Sequence, residues 1–229
     1  MAQRPIFIPE NSGYPFVKTV DIEFIWSPGM AKSQAQKSIR SLHEAAAKAG
    51  FPHLLEISSK AEDSLGVALS AFNLNITSNN KRMSVECAFQ GSKVFERGGP
   101  YTDLYDASSL DAKRDDRIRN SGEIIGFDFM GVKFPTIPIT LFYDWLYITA
   151  LQQNKKLSEG ILAYDGFTDI AFNPQKSWNC QAKSAALYLA LHATGKIEQV
   201  ISDADSYLNL AMGTQKPHTG GVQMGFGFE

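Results

Sequence analysis

In VKTVDIEFIW, residues 17–26, Val20, Ile22 and Phe24 fall on one face of an extended chain and Thr19, Asp21 and Glu23 on the other. A strand satisfies that period of two and a helix does not. PIFIP, just before it, also reads as a strand. The period then changes: Ala35, Ile39, Leu42, Ala46 and Ala49 recur at helical spacing behind a Ser33/Gln36 capping box and ahead of Gly50 and Pro52, predicting a helix over 33–49. HLLEISS and VALSAFNLNIT read as two short strands around a polar turn at 61–64, and SNNKR leads into an amphipathic helix over SVECAFQGSKVFERGG, residues 84–99. The mixed charges of DASSLDAKRDDRIRNSG predict an exposed helix or helical loop, and EIIGFDF and VKF flank Met130 and Gly131 as a hairpin. PTIP opens onto a strongly apolar helix, TLFYDWLYITALQQN, followed by a shorter one, KLSEGILAY. The turn-rich DGFTDIAFNPQKSWN reads as a loop feeding the helix CQAKSAALYLALHAT, which Gly195 closes, and IEQVISDADSYLNLAM forms a last helix. The expected fold class is α+β: one mostly helical domain over 1–210, with short strands toward the N-terminal half, a central hairpin, and a mobile Gly-rich tail over 211–229.

A chain of 229 residues with 44% hydrophobic and 20% charged residues supports one sizeable core. It contains no apolar run near the roughly 18 residues a membrane helix needs, and Pro, Gly and charges occupy the first twenty residues where a signal peptide would be apolar. A cytoplasmic protein with no membrane partner is expected. Cys87 and Cys180 lie far apart with no Cys/His cluster near them, so neither a disulfide framework nor a metal site is expected, and both cysteines read as small buried hydrophobes. A net charge of -2 provides no bulk attraction to nucleic acid; such a partner would be engaged locally or through a modification it carries.

The segment 84–99 holds the most pointed pattern. On an unbroken helix Gln90 lies about 40° from Glu86 and Lys93 about 20° from it on the other side, beside an apolar stripe of Val85, Ala88, Phe89 and Ser92. An acid, an amide and an amine sharing one stripe form either a solvated face or a catalytic one.

Three blocks in order resemble the NADAR (YbiA-like) family of N-glycosidases acting on ADP-ribose and related compounds. The first is Leu69-Ser70-Ala71-Phe72-Asn73, where Ala71 stands in place of the family's usual Asn. The second is the E-x-x-x-Q-x-x-K-F pattern, carried by Glu86, Phe89, Gln90 and Lys93, with Val94 inserted before Phe95. The third is Phe167, Asp169 and Asn179, a loop leading to the last core helix. The blocks span about 55–195, with 1–54 as an N-terminal extension. RPIFIP, SQAQKSI and ECAFQGSKVFERGGPYTDL resemble one branch more closely, the antitoxins associated with guanine-modifying DarT toxins. Such toxins attach ADP-ribose to guanine in DNA, and the resemblance implies that this chain removes it without metal or cofactor, with a DarT-type toxin as genetic partner. The same blocks also suit another ADP-ribose-containing or riboflavin-pathway metabolite, and an antitoxin that neutralises its toxin by contact needs no turnover at all.

The residues fit N-glycosidic cleavage. A carboxylate stabilises an oxocarbenium-like state and handles a proton, a role open to Glu86. A neutral amine can trap a ring-opened sugar as an imine, with Lys93 and Lys37 as candidates, Lys37 on resemblance alone. Asp169 can orient the ribose hydroxyls or the attacking group, Phe72, Phe167 or Trp178 can stack on a base, and Ser70, Asn73, Gln90 and Asn179 are substrate-binding candidates. Plainer roles compete: a solvated lysine at 37, a helix N-cap at Asn179, core aromatics at Phe72 and Phe167. For phosphate the candidates are Lys81, Arg82, Arg97 and the amides near Gly98 and Gly99.

Overall fold

In the computed structural model, which describes residues 1–13, 15–202 and 204–212, the alternating N-terminal segments pair as an antiparallel hairpin of β1 (Ala2–Pro9) and β2 (Val17–Phe24). Alternation sends their side chains to opposite faces. Ile6, Ile22 and Phe24 meet Ile39, Leu42 and Ala46 of α1 (Lys32–Lys48), while Phe7 and Val17 belong to the main core. The helix starts at Lys32 behind Ala31, with no side-chain cap. The expected Ser33/Gln36 box is not formed, because Ala31 holds the N-cap position and Ser33 lies inside the exposed first turn.

β3 (Leu54–Glu56) follows as expected, but VALSAFNLNIT is not one strand. Asp63 accepts the Leu65 amide at 2.8 Å and starts a short helix, α2 (Ser64–Ala68). Ser70 Oγ and Asn73 Nδ2 then both donate to the Val67 carbonyl, so local side-chain bonds end that helix in a turn. Only β4 (Asn75–Ser78) is extended, and it pairs with β5 (Lys81–Ser84). SNNKR is thus a hairpin turn, with Asn79 and Asn80 at φ of 49° and 62°, a left-handed pair that Asn tolerates.

The helix expected over 84–99 is cut short. α3 (Val85–Gly91) stops where Gly91 passes so close to Tyr105 that a β-carbon would lie 2.6 Å from the ring. Ser92 Oγ donates to the Ala88 carbonyl, and the chain leaves as β6 (Lys93–Phe95). The charged stretch forms two short helices, α4 (Ser109–Arg114) and α5 (Asp116–Asn120). The expected hairpin is β7 (Ile124–Phe129) with β8 (Val132–Phe134), and β6 adds to its edge to give the order β6-β7-β8.

α6 (Leu141–Gln153) is buried on nearly every side, as its apolar sequence requires. α7 (Lys155–Gly160) leads to the largest departure from expectation: the presumed loop contains β9 (Gly166–Thr168), an interior strand in the sheet order β2-β1-β9-β3. It runs parallel to β3 and antiparallel to β1. Gly166 fits there because a side chain would not: a β-carbon would come 2.5 Å from Ile8 Cδ1 and 2.9 Å from Leu54 Cδ2. The strands are therefore not confined to the N-terminal half. α8 (Gln181–Ala193) joins α6 and the Phe7/Phe167 face of the sheet in the main core, and α9 (Ile197–Ser202) and α10 (Ala204–Met212) complete an α+β fold. The tail over 213–229 lies outside the described residues. Among the described residues no helix is long and apolar enough to cross a membrane.

Candidate active site

Ser84 starts α3 by accepting the Cys87 amide at 3.1 Å, and the Glu86 amide donates to the Ala71 carbonyl at 2.9 Å. These bonds seat the first turn of α3 against the 69–73 turn. Glu86 and Gln90 share a face as i,i+4 neighbours. Lys93 is not on that helix, yet the reversal at Ser92 returns it to the same place. In β6, Lys93 and Phe95 are buried and Val94 is half-buried, the alternation a strand imposes. Gln90 Nε2 donates to Glu86 Oε1 at 2.9 Å, and Lys93 Nζ donates to Gln90 Oε1 at 2.7 Å. The amide thus joins acid to amine with both of its ends satisfied.

Glu86 and Gln90 are 7% exposed, Lys93 8% and Asp169 9%, which rules out a solvated face. The Lys93 ammonium sits 4.7 Å from the centre of the Phe89 ring. Burial lowers its pKa from 10.5 to about 8, with Glu86 opposing and the Lys113 charge assisting.

Asp169 follows β9. Its Oδ1 accepts the Ala171 amide at 3.0 Å and its Oδ2 accepts Gln181 Nε2 at 3.0 Å. Gln181, the first residue of α8, also donates to the Ile57 carbonyl and accepts the Ala71 amide, each at 2.7 Å. One half-buried amide therefore ties together the end of β3, the turn before Glu86, and Asp169. Tyr143 on α6 feels both carboxylates: burial first, then Glu86 and more weakly Asp169, push its phenol well above the ordinary range.

Behind Asp169 lies a second carboxylate, Glu56. It accepts Thr168 Oγ1 at 2.6 Å and the Ile170 amide at 2.9 Å, and burial raises its pKa. Burial, and next the Glu56 charge, raise Asp169 to about 7. His43 Nε2 stands 2.8 Å from Thr168 Oγ1. Since that hydroxyl gives its proton to Glu56, the imidazole is the donor. Burial holds His43 down at about 4.

The remaining sequence candidates divide. Ser70 and Asn73 spend their polar groups on the 67–73 turn, including a 3.0 Å bond to each other. Phe72 is half-buried beneath Lys113, whose ammonium lies 5.2 Å from the ring centre. Phe167 is wholly buried between β1 and β3 and offers no face for stacking, a correction that follows from the strand it occupies. Trp178 is 67% exposed on the loop before α8. Asn179 is not the N-cap: Cys180 holds that position, and the Asn179 Oδ1 is buried without a hydrogen-bond partner. Lys37 is exposed on α1, whose buried face belongs to the other hydrophobic cluster, away from the core that holds Val85 and Phe89. Cys87 and Cys180 are free and buried, as expected.

Gln181, Tyr143, Glu56 and Lys113 were missed. No local pattern marks them, because each reaches the site from a different element. Among the described residues no group of three His, Cys, Asp or Glu side chains is placed to hold a metal ion. A family model described as DarT1-associated NADAR antitoxin matches residues 2–220, whereas no curated protein matches the chain. The matched span takes in every described strand and helix from β1 to α10 and both halves of the buried site, and the chain belongs to the DarT1-associated NADAR antitoxins.

Proposed function

We propose that this antitoxin is an N-glycosidase that removes ADP-ribose from guanine in DNA. The observation that carries the reading is the string Glu86–Gln90–Lys93, nearly buried and joined by two short hydrogen bonds. Docking to a toxin does not require a desolvated amine, whereas imine chemistry does: a neutral amine is available near neutral pH only when its proton affinity is lowered.

In the covalent route the guanine nitrogen lone pair opens the ribose ring while Glu86 protonates the departing ring oxygen. The neutral Lys93 amine adds to the resulting carbon–nitrogen double bond. Guanine then leaves as its free amine, taking a proton, and an imine remains between the sugar and Lys93. Water adds to that imine, ADP-ribose departs, and Lys93 returns to the free amine. The sum is one water consumed per bond cleaved. Gln90 keeps acid and amine in register, and Asp169, held by Ala171 and Gln181, serves the ribose hydroxyls. In the direct route Glu86 instead activates water at the anomeric carbon. With a net charge of -2, recognition rests on the ADP-ribose and one exposed base in single-stranded or flipped form rather than on the duplex backbone.

The test is incubation of the pure protein with an oligonucleotide ADP-ribosylated on guanine, followed by mass spectrometry. Unmodified guanine and free ADP-ribose are expected. An unchanged oligonucleotide, with toxin inhibition retained, would leave a contact antitoxin; turnover of free ADP-ribosyl metabolites alone would move the substrate class.

A further inference from the structure

The cations proposed for phosphate from sequence are largely committed elsewhere. Lys81 pairs with Asp106 at 2.6 Å, and Arg97 donates to the Asn120 carbonyl and lies 4.0 Å from Glu96. Lys113 differs. Among the described residues it forms no ion pair, it is exposed, and it is the only lysine whose charge is felt at the buried Lys93 amine.

Its backbone is held firmly. Ser108 starts α4 by accepting the Asp111 amide at 3.1 Å. Ser109 Oγ bonds the Phe72 carbonyl at 2.9 Å and Ser84 Oγ, the start of α3, at 2.8 Å. Cys87 Sγ meets the Ala107 carbonyl at 3.2 Å. Ser109 and Lys113 are i,i+4 neighbours on one helix face. The helix that carries Lys113 is therefore clamped to both the Phe72 turn and the catalytic helix, while among the described residues the ammonium itself rests only on the Phe72 ring.

We propose that Lys113 binds the diphosphate of the ADP-ribosyl substrate at the rim of the Glu86 site, leaving the Phe72 ring to an apolar or aromatic part of the same molecule. The inference rests on the proposed glycosidase reading. The Lys113 charge repels the Lys93 ammonium, a repulsion that a bound anion relieves. A cation on an aromatic ring is a weak resting contact at an exposed site, so moving the ammonium to a phosphate gives up little. A lysine supplies a mobile point charge suited to phosphate, and its anchored helix limits the search.

The experiment is calorimetric titration of ADP-ribose into the wild type, Lys113→Gln, Lys113→Arg and, as a control on another exposed lysine, Lys156→Gln on α7, together with steady-state turnover of the modified oligonucleotide. Lys113→Gln is expected to weaken ADP-ribose binding about tenfold or more, to make binding less salt-dependent, and to raise KM more than it lowers kcat. Lys113→Arg should recover most of the affinity and Lys156→Gln all of it. If the wild type binds ADP-ribose and Lys113→Gln binds it equally well, Lys113 only covers Phe72 and the inference falls alone. If the wild type neither binds ADP-ribose nor cleaves the oligonucleotide, the glycosidase reading falls and takes this inference with it.

Discussion

Replacing Lys93 by Met should stabilise the fold while abolishing covalent trapping. The folded-state pKa of Lys93 is depressed from 10.5 to about 8, so the unfolded chain binds more protons between those values and this group's destabilisation is fully present below about pH 8. At about 1.36 kcal/mol per tenfold in proton affinity, carrying the charge into the folded site costs about 3 kcal/mol at pH 7. Methionine keeps a stem over Phe89 without the charge. Against this, Gln90 Oε1 loses its donor, which costs about 1–2 kcal/mol in a buried setting, and the ammonium–ring contact is lost. The balance is a gain of about 1 kcal/mol at pH 7. Between pH 7 and 9.5 the wild type sheds about 2 kcal/mol of its cost as the amine becomes neutral, so the gap between the variants should close and then reverse. Urea melts of both proteins at the two pH values read this difference directly, since other groups titrate alike in both. A gap that does not change with pH, or a variant less stable than wild type by the same amount throughout, would refute the argument that Lys93 is held as a costly buried amine.

Borohydride added during turnover should fix ADP-ribose to the protein at Lys93, more efficiently at pH 9 than at pH 7, because with a pKa of about 8 the neutral fraction rises from about a tenth to about nine-tenths; peptide mapping that places the adduct on Lys37 would overturn the assignment. Glu86→Gln should keep the fold and ADP-ribose binding but lose about a hundredfold or more in turnover, measured by release of guanine product, and near-normal rates would remove Glu86 from the chemistry. Asp169, raised from 3.8 to about 7 by burial and Glu56, binds more protons folded than unfolded in that window, so its contribution is favourable below about pH 4 and is lost as pH rises toward 7. Asp169→Asn should flatten that part of the stability profile, and an unaltered slope would count against the buried Glu56/Asp169 pair.

Hydrophobic period was enough to read much of the fold. The two-residue alternation of 17–24, the helical spacing of 35–46 and the apolar run of 141–151 each allow one kind of element, and each formed it, because burying those side chains on one face, or on all faces, has no other local solution. The i,i+4 relation of Glu86 and Gln90 was legible for the same reason. Where α3 ends was not, since that is decided by the Tyr105 ring against Gly91, fourteen residues apart in sequence. Three residues of β9 carry too little pattern to announce a strand; they become one because Gly166 lets β1 and β3 close on either side, and that closure buries Phe167 and brings Asp169 beside Glu56. Lys93 reached its partner by a route that helix geometry did not describe, through the turn at Ser92 and the pairing of β6 with β7. Residue types and their order thus determined which chemistry the chain can carry, whereas the tertiary structure alone decided which of those groups lose their water. That loss makes an amine partly neutral and keeps a proton on an acid, and it depends on contacts between segments distant in the chain.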